Sequence, residues 1–214
     1  MAEWESPQQA HSTDQGGSPS GDVPGGVPAA SPAPESTTPA PVRLEDLSAL
    51  TAAHPVLISD DDFDLMLLFK LVLERIGLTV VATPLAKSAL YVCQTAPISL
   101  LTTDVMKPEI SGFELLVRLR SDPATADIPV LFVSAYREDQ VIDRAYRLGA
   151  QAYLSKPVSI PEYLETVKDL LLHHGHWQVP PSYDPAVFAA LTRTDVAYAT
   201  GPGLVRVMTT RVAQ

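Results

Sequence analysis

The amino-acid sequence predicts an α/β fold, a doubly wound sheet of five parallel strands with helices on both faces. Between residues 55 and 172, short apolar runs alternate with amphipathic stretches, which is typical of strands and helices alternating around a parallel sheet. The runs are almost continuously apolar, so we expect helices to cover both faces of the sheet. A chain of 214 residues accommodates one such domain, with segments to spare at both ends.

Each predicted strand is a run of four to six residues that is rich in large or β-branched apolar side chains. In chain order the runs are VLIS at 56–59, TVVA at 79–82, ISLLTT at 98–103, PVLFVS at 129–134 and AYLS at 152–155.

A helical segment follows each strand, at residues 63–76, 85–94, 112–120, 138–148 and 160–172. We expect the first and the fourth helix to end at Gly77 and Gly149, because glycine readily adopts the left-handed conformation that closes a helix. Apolar residues share one face of the second and third helices, namely Ala89, Leu90 and Cys93 in the second and Phe113, Leu116 and Leu119 in the third.

Three segments flank this domain. Residues 1–41 are rich in Pro, Gly and Ser and carry five acidic residues but no lysine or arginine, so we expect an acidic disordered tail. Residues 42–54 have leucines at helical spacing, which predicts a short lead-in helix. Residues 173–214 are short for a helix-turn-helix module; Asp184 and Pro185 predict the start of a helix that reaches about Tyr198. Docking on the domain and mediation of a dimer are both open for this extension.

The composition excludes several classes of partner. The net charge of −10 and the isoelectric point near 4.8 argue against nucleic acid and anionic membranes, because both attract clustered lysine and arginine.

The single cysteine, Cys93, cannot form an internal disulfide, and the N-terminus lacks a secretion signal. No apolar run approaches the roughly 18–20 residues that cross a bilayer. We therefore expect a soluble, cytoplasmic protein.

Polar side chains follow four of the predicted strands where each strand ends. In a doubly wound sheet the carboxyl ends of the strands form the edge where ligands bind, so these side chains should meet there. Clustered carboxylates repel one another unless a cation enters, and Mg²⁺ prefers oxygen ligands. An aspartate beside that metal and a lysine can act as a nucleophile toward phosphorus. The residues are Asp60 and Asp61 after the first strand, Asp104 after the third, Ser134 at the end of the fourth and Lys156 after the fifth.

Taken alone, each of these residues has a simpler explanation. Asp60 and Asp61 can cap the helix that follows them, because acidic groups favour a helix N-terminus. Asp104 and Lys156 can be ordinary loop residues near proline, and Ser134 can simply end a strand. Only the joint occurrence of these residues at different strand ends favours a phosphoryl-transfer site.

Four motifs occur in order along the domain: VLISDDD, DVMKPEISGFELL, VLFVSA and GAQAYLSKP. Ser134 lies 30 residues after Asp104, and Lys156 lies 22 residues after Ser134. With these motifs, residues 55–172 resemble the receiver domain of two-component response regulators, over a little more than half of the chain. The resemblance implies a CheY-like domain whose sheet has the flavodoxin-like strand order 2-1-3-4-5.

The resemblance also implies how the site would work. Asp104 would be the phosphoacceptor. Asp61, helped by Asp60, would hold Mg²⁺ together with Asp104 and the backbone carbonyl of Met106. Lys156 would pair first with the aspartate and then with the phosphoryl group.

A conformational switch and its partners follow from the same resemblance. Ser134 would move toward the phosphoryl group, and Tyr153 would turn into the space that it leaves. A sensor histidine kinase or a phosphotransfer protein would supply the phosphoryl group. The surface of the segments 138–148, 152–155 and 160–172 would report the state to a downstream protein, or bind a second copy of the chain. Such a protein is not otherwise an enzyme, since it catalyses only its own phosphorylation and dephosphorylation.

Two other functions use similar residues. A phosphohydrolase of the haloacid dehalogenase type also forms an aspartyl phosphate, with Asp60 and Asp62 as its paired aspartates. Phe63 and Asp64 after that pair, and PVSIPEY after the lysine, depart from the pattern of that family. A receiver-like scaffold that binds partners without phosphorylation is the third alternative, which the complete acidic set makes less attractive.

Overall fold

The computed structural model describes residues 43–192, in which strands and helices alternate. The strands are β1 (Val56–Ser59), β2 (Val80–Thr83), β3 (Leu100–Thr103), β4 (Val130–Ser134) and β5 (Ala152–Ser155). The helices are α1 (Leu47–Ala53), α2 (Phe63–Arg75), α3 (Ala86–Thr95), α4 (Gly112–Ser121), α5 (Asp139–Arg147), α6 (Ile160–His174) and α7 (Pro185–Thr192), with a 3₁₀ turn at Leu44–Asp46 before α1.

All five strands are parallel and lie in the order β2-β1-β3-β4-β5, which confirms the predicted fold class and strand order. The register sets which residues leave the sheet side by side. Ser59 pairs with Thr103, and Ser134 pairs with Ser155. The loops after β1 and β3 therefore begin side by side at one edge of the sheet. The loops after β4 and β5 do the same.

Two apolar clusters cover the two faces of the sheet, as the continuous apolar strands predicted. One cluster joins residues of α3, α4 and α5 to the sheet, and the other joins residues of α2 and α6 to the opposite face. Within the second cluster, the rings of Phe69 and Tyr163 stack with their centres 3.9 Å apart. The Tyr163 hydroxyl lies 3.3 Å from the Thr102 hydroxyl, so this buried phenol has a partner in β3.

Details of the elements differ from the sequence expectation. β2 and β3 begin one and two residues later than predicted, at Val80 and Leu100. Leu90 is only partly buried, because Ala86, Ala89, Val92 and Cys93 form the buried face of α3. In α2 the side chain of Lys70 is 1% exposed, and its ammonium donates to Glu74 and to the carbonyl of Val80. Gly77 and Gly149 have φ of 89° and 96°, the conformation predicted at these helix ends.

The segment after α6 docks on the domain as far as it is described. The backbone N–H of His176 donates to the Ser99 carbonyl at 2.9 Å, and that of Asp184 donates to the Thr95 carbonyl at 3.1 Å. Leu191 of α7 is buried, and α7 contacts β2. The predicted continuation of this helix to Tyr198, and the predicted tail at 1–41, lie outside the described residues. None of the helices between residues 43 and 192 is long and apolar enough to span a membrane.

Candidate functional site

The candidate site lies at the carboxyl ends of β1 and β3. Because Ser59 pairs with Thr103, the next residues, Asp60 and Asp104, leave the sheet next to each other. The backbone N–H of Asp104 donates to the Ser59 carbonyl at 3.3 Å, which continues the pairing of the strands by one residue. Asp60 is 3% exposed and Asp104 is 8% exposed, so two carboxylates are held almost out of water.

A single ammonium group bridges these carboxylates. Nζ of Lys156 donates to Oδ2 of Asp60 at 2.9 Å and to Oδ2 of Asp104 at 2.8 Å. The backbone N–H of Lys156 donates to the Ser134 carbonyl at 2.7 Å, which fixes the loop after β5, and the Lys156–Pro157 bond is cis. A cation shared by two buried carboxylates offsets the repulsion between them.

The electrostatics follow from this arrangement. Burial raises the pKa of Asp60 above its ordinary value, against the lowering effect of the bond from Lys156. Burial acts to lower the pKa of Lys156, but its bonds to Asp104 and Asp60 outweigh burial and raise that pKa above the ordinary value. Lys156 is therefore held as a fixed positive charge at this edge of the sheet.

The second oxygen of Asp104 is bound from two other directions. Its Oδ1 accepts a hydrogen bond from the Ser134 hydroxyl at 2.6 Å and another from the backbone N–H of Met106 at 3.1 Å. The carboxylate of Asp104 thus contacts donors from the loops after β3 and β5 and from the last residue of β4. The structure brings together Asp60, Asp104, Ser134 and Lys156, as the strand-end argument predicted.

Tyr153 of β5 contacts β4 and the loop that follows it. Its hydroxyl donates to the Tyr136 carbonyl at 2.9 Å, and its ring centre lies 6.1 Å from that of Phe132. Burial raises the pKa of the Tyr153 phenol. The ring therefore lies half-buried against β4, beside the strand that carries Ser134.

Asp61 and Asp62 have separate roles. Asp62 caps α2, because its Oδ1 accepts from the backbone N–H of Leu65 at 3.1 Å. Its own N–H donates to Asp60 at 2.9 Å. The explanation that Asp60 and Asp61 cap this helix is therefore wrong. Asp61 has a half-exposed side chain, and its Oδ1 lies 3.9 Å from Nζ of Lys107.

Lys107 is a charged residue of the site that the sequence analysis missed. Its side chain is 0% exposed, although the residue lies in the loop after β3. Burial lowers the pKa of Lys107 below its ordinary value, while the charges of Asp60, Asp61 and Asp104 act to raise it. The only signal in the sequence is a basic residue three positions after Asp104.

The oxygen donors of the site suit a hard cation. Among residues 43–192, no three His, Cys, Asp or Glu side chains are grouped closely enough to surround a metal ion. Mg²⁺ does not need such a cage, since it keeps several waters and binds through one or two carboxylates. Asp60 and Asp104 provide two carboxylates close together, and Asp61 and the backbone carbonyl of Met106 lie in the adjoining loops. The donor set therefore fits Mg²⁺ with waters completing its shell.

The start of α4 approaches the loop after β3 very closely. The N–H of Gly112 donates to the Val105 carbonyl at 2.9 Å. A Cβ atom at this position would lie 2.1 Å from the carbonyl oxygen of Asp104 and 2.9 Å from the ring of Phe132. Only glycine leaves room for this contact between α4 and the backbone of Asp104.

Comparisons with known proteins agree on one family. The sequence model of the response regulator receiver domain matches residues 56–168. The polar-differentiation response regulator DivK of Brucella ovis is 33% identical over 116 residues, which are 54% of this chain and 94% of that protein. An uncharacterised 14.6 kDa protein of Leptolyngbya boryana is 36% identical over 121 residues, 56% of this chain and 92% of that protein.

Solved structures show the same likeness. A CheY-like response regulator receiver domain protein of Methanospirillum hungatei is 27% identical, with a TM-score of 0.52 over 55% of this chain and 93% of that chain. The receiver domain of the Francisella response regulator 1452 is 28% identical, with a TM-score of 0.51 over 56% of this chain and 96% of that chain.

Proposed function

Because the chain belongs to the response regulator receiver family, we propose that it accepts a phosphoryl group on Asp104 and thereby switches a protein-binding surface. Receiver domains are signalling switches in general. The donor would be a sensor histidine kinase or a phosphotransfer protein, and the responding surface would bind a downstream protein.

One observation carries the assignment of the acceptor. The Asp104 carboxylate accepts from the Lys156 ammonium on one oxygen and from the Ser134 hydroxyl on the other. In the transfer, a carboxylate oxygen of Asp104 forms a bond to phosphorus as the bond between phosphorus and the donor's leaving group breaks. Lys156 and Ser134 are then in place to contact oxygens of the transferred group, since both already contact the atoms that attack.

Mg²⁺ would be held by Asp60, Asp61, Asp104 and the carbonyl of Met106, and it would neutralise charge on the transferring group. Lys156 keeps the Asp60 and Asp104 carboxylates together before transfer. After transfer, Lys156 would exchange its bond to Asp104 for one to the phosphoryl group and keep its bond to Asp60.

The switch would run from Ser134 to the surface through Tyr153. A bond from Ser134 to the phosphoryl group would replace its present bond to Asp104 and shift the end of β4. The Tyr153 ring packs against β4, and its hydroxyl is bound to the loop after β4. Movement of that loop would therefore change the position of the ring, and with it the surface of α5, β5 and α6.

The two edges of the sheet support this choice of surface. Every residue of the edge strand β2 is buried, and α7 contacts that strand. Every residue of the opposite edge strand, β5, is only partly buried. An edge strand that is not fully covered offers a surface for a partner or for a second copy of the chain. We therefore place the partner, and a homodimer if one forms, on the α5-β5-α6 surface.

The hydrolase alternative is not favoured by the geometry. It would need Asp62 as an acid beside Asp60, but the Asp62 side chain caps α2. It would also need its nucleophile after β1, whereas Ser134 and Met106 donate to Asp104 after β3.

Incubation with acetyl phosphate and Mg²⁺ tests the proposal. The wild type should gain one phosphoryl group by intact mass, and Asp104→Asn should gain none. Asp64→Asn, which alters an exposed aspartate of α2, is the matched control and should label like the wild type. Equal labelling of Asp104→Asn would refute the assignment. Steady hydrolysis of a phosphomonoester, abolished by Asp60→Asn but not by Asp104→Asn, would instead support a hydrolase. A wild type that takes phosphate from no donor, yet binds its partner, would support a scaffold.

A further inference from the structure

We propose that the Lys107 ammonium competes with Mg²⁺ for the carboxylates of the site and thereby weakens the affinity of the site for the metal. The inference rests on the proposed function, because the metal belongs to the same phosphoryl-transfer site. Lys107 lies in the loop after β3, and the sequence motifs assign no role to this residue.

The placement of Lys107 is unusual for a loop lysine. A lysine in a surface loop ordinarily extends its ammonium into water. Here the side chain is 0% exposed, and the Asp61 carboxylate lies 3.9 Å from its Nζ. Nζ is buried and has no hydrogen-bond partner within the described residues. A buried ammonium without a hydrogen bond is costly unless negative charge surrounds it.

The negative charge around Lys107 comes from three carboxylates. Asp60, Asp61 and Asp104 all attract its ammonium, while Lys156 repels it. With both lysines charged, three carboxylates and two ammonium groups leave a net charge of one minus; without Lys107 the net charge is two minus. Lys107 therefore removes half of the net charge that would attract a divalent cation.

Coulomb repulsion gives the size of the effect. Like charges that lie close together repel strongly at the effective dielectric of a protein surface, although solvent and side-chain rearrangement offset part of this repulsion. A change of about tenfold or more in the dissociation constant for Mg²⁺ is therefore expected when the charge of Lys107 is removed. Removal of the Lys107 ammonium also removes the ion pair that it makes with the Asp61 carboxylate at 3.9 Å.

Lys87 provides a matched control for this experiment. Its ammonium lies 3.3 Å from Glu109, in the same loop as Lys107, but the Lys87 side chain is 59% exposed. Lys87→Met therefore changes the net charge of the protein by the same amount as Lys107→Met. Water and salt screen the exposed pair, so its effect on the site should be small.

Isothermal titration calorimetry of Mg²⁺ into wild type, Lys107→Met and Lys87→Met tests the proposal. We expect Lys107→Met to bind Mg²⁺ at least about tenfold more tightly than the wild type, and Lys87→Met to stay within about twofold. Lys107→Arg, which keeps the charge, should bind no more tightly than the wild type. Equal or weaker binding by folded Lys107→Met would overturn the proposal, as would equal tightening by Lys87→Met.

Two further measurements separate this inference from the proposed function. Circular dichroism establishes that each variant is folded; if Lys107→Met is not, Lys107→Gln takes its place under the same criterion. Labelling with acetyl phosphate reports Asp104 independently. Labelling of Asp104 with unchanged Mg²⁺ affinity in Lys107→Met would refute only the role of Lys107. Absence of both Mg²⁺ binding and labelling in every protein would refute both proposals.

Discussion

Gly112→Ala tests how tightly the fold holds the loop after β3, which carries Asp104. The added Cβ would lie 2.1 Å from the carbonyl oxygen of Asp104 and 2.9 Å from a ring carbon of Phe132. The first of these atoms belongs to backbone, which cannot rotate away as the end of a flexible side chain can. The variant must therefore move the start of α4 away from the loop that carries Asp104.

The energetic cost has three parts. Overpacking of a tight site costs about 1–3 kcal/mol. Separation of α4 from the loop also weakens the Gly112 to Val105 hydrogen bond, and an unpaired buried carbonyl costs about 1–3 kcal/mol. Alanine recovers about 1 kcal/mol through its higher helix propensity. Together these parts lower the free energy of unfolding by roughly 1–5 kcal/mol.

Urea denaturation measures this loss, with Ser121→Ala at the other end of α4 as the control. Ser121 is exposed, and its alanine variant should stay within about 0.5 kcal/mol of the wild type. Phosphoryl uptake by folded Gly112→Ala should slow by about a hundredfold, because a displacement of about 1 Å at a reacting group has an effect of this size. A Gly112→Ala protein as stable and as reactive as the wild type would refute the reasoning.

Three further predictions concern the site and the flanking segments. Lys156→Met leaves two buried carboxylates without their shared ammonium, so phosphoryl uptake should fall by about a hundredfold or more. Carboxyl NMR should show a further rise in the pKa of Asp60. An unchanged rate of uptake and an unchanged pKa would contradict the role of the ammonium. Burial lowers the pKa of His54 and His176 below 6.5 in the folded protein. The stability that their neutral forms contribute is therefore complete above pH 6.5 and is lost as the pH falls below that value. Urea denaturation at a series of pH values should show that the free energy of unfolding depends less on acid pH in His54→Gln than in the wild type, and an unchanged dependence would argue against a contribution from His54. Tyr153→Phe loses one hydrogen bond and should lower the free energy of unfolding by about 1 kcal/mol; a more stable variant would show that the bond is not formed in solution.

The sequence predicted the sheet well, because its signals are local and repeated. Each strand is a short apolar run, and each following helix has its own apolar face. The motifs then implied the strand order that the structure confirms. The meeting of Asp60, Asp104, Ser134 and Lys156 was predictable for the same reason, since parallel strands direct their carboxyl ends to one edge.

The residues that the sequence did not reveal owe their environment to packing. Lys70 lies in α2 among apolar residues, and only the folded helix shows that its ammonium reaches Glu74 and the carbonyl of β2. In the sequence, Lys107 is an ordinary loop lysine, and only the folded structure shows that its side chain is buried near the Asp61 carboxylate. Leu71 is apolar and at helical spacing, yet it is exposed on α2. Periodicity shows that a face exists but not which residues of the helix lie at its boundary.

The assignment of Asp104 as phosphoacceptor can be tested by chemical trapping. The protein is incubated with acetyl phosphate and Mg²⁺, treated with borohydride to convert an aspartyl phosphate to homoserine, and mapped by peptide mass spectrometry. We expect homoserine at position 104 and at no other aspartate. Homoserine at Asp60 or Asp61, or at no position after demonstrated phosphoryl uptake, would contradict the proposed site.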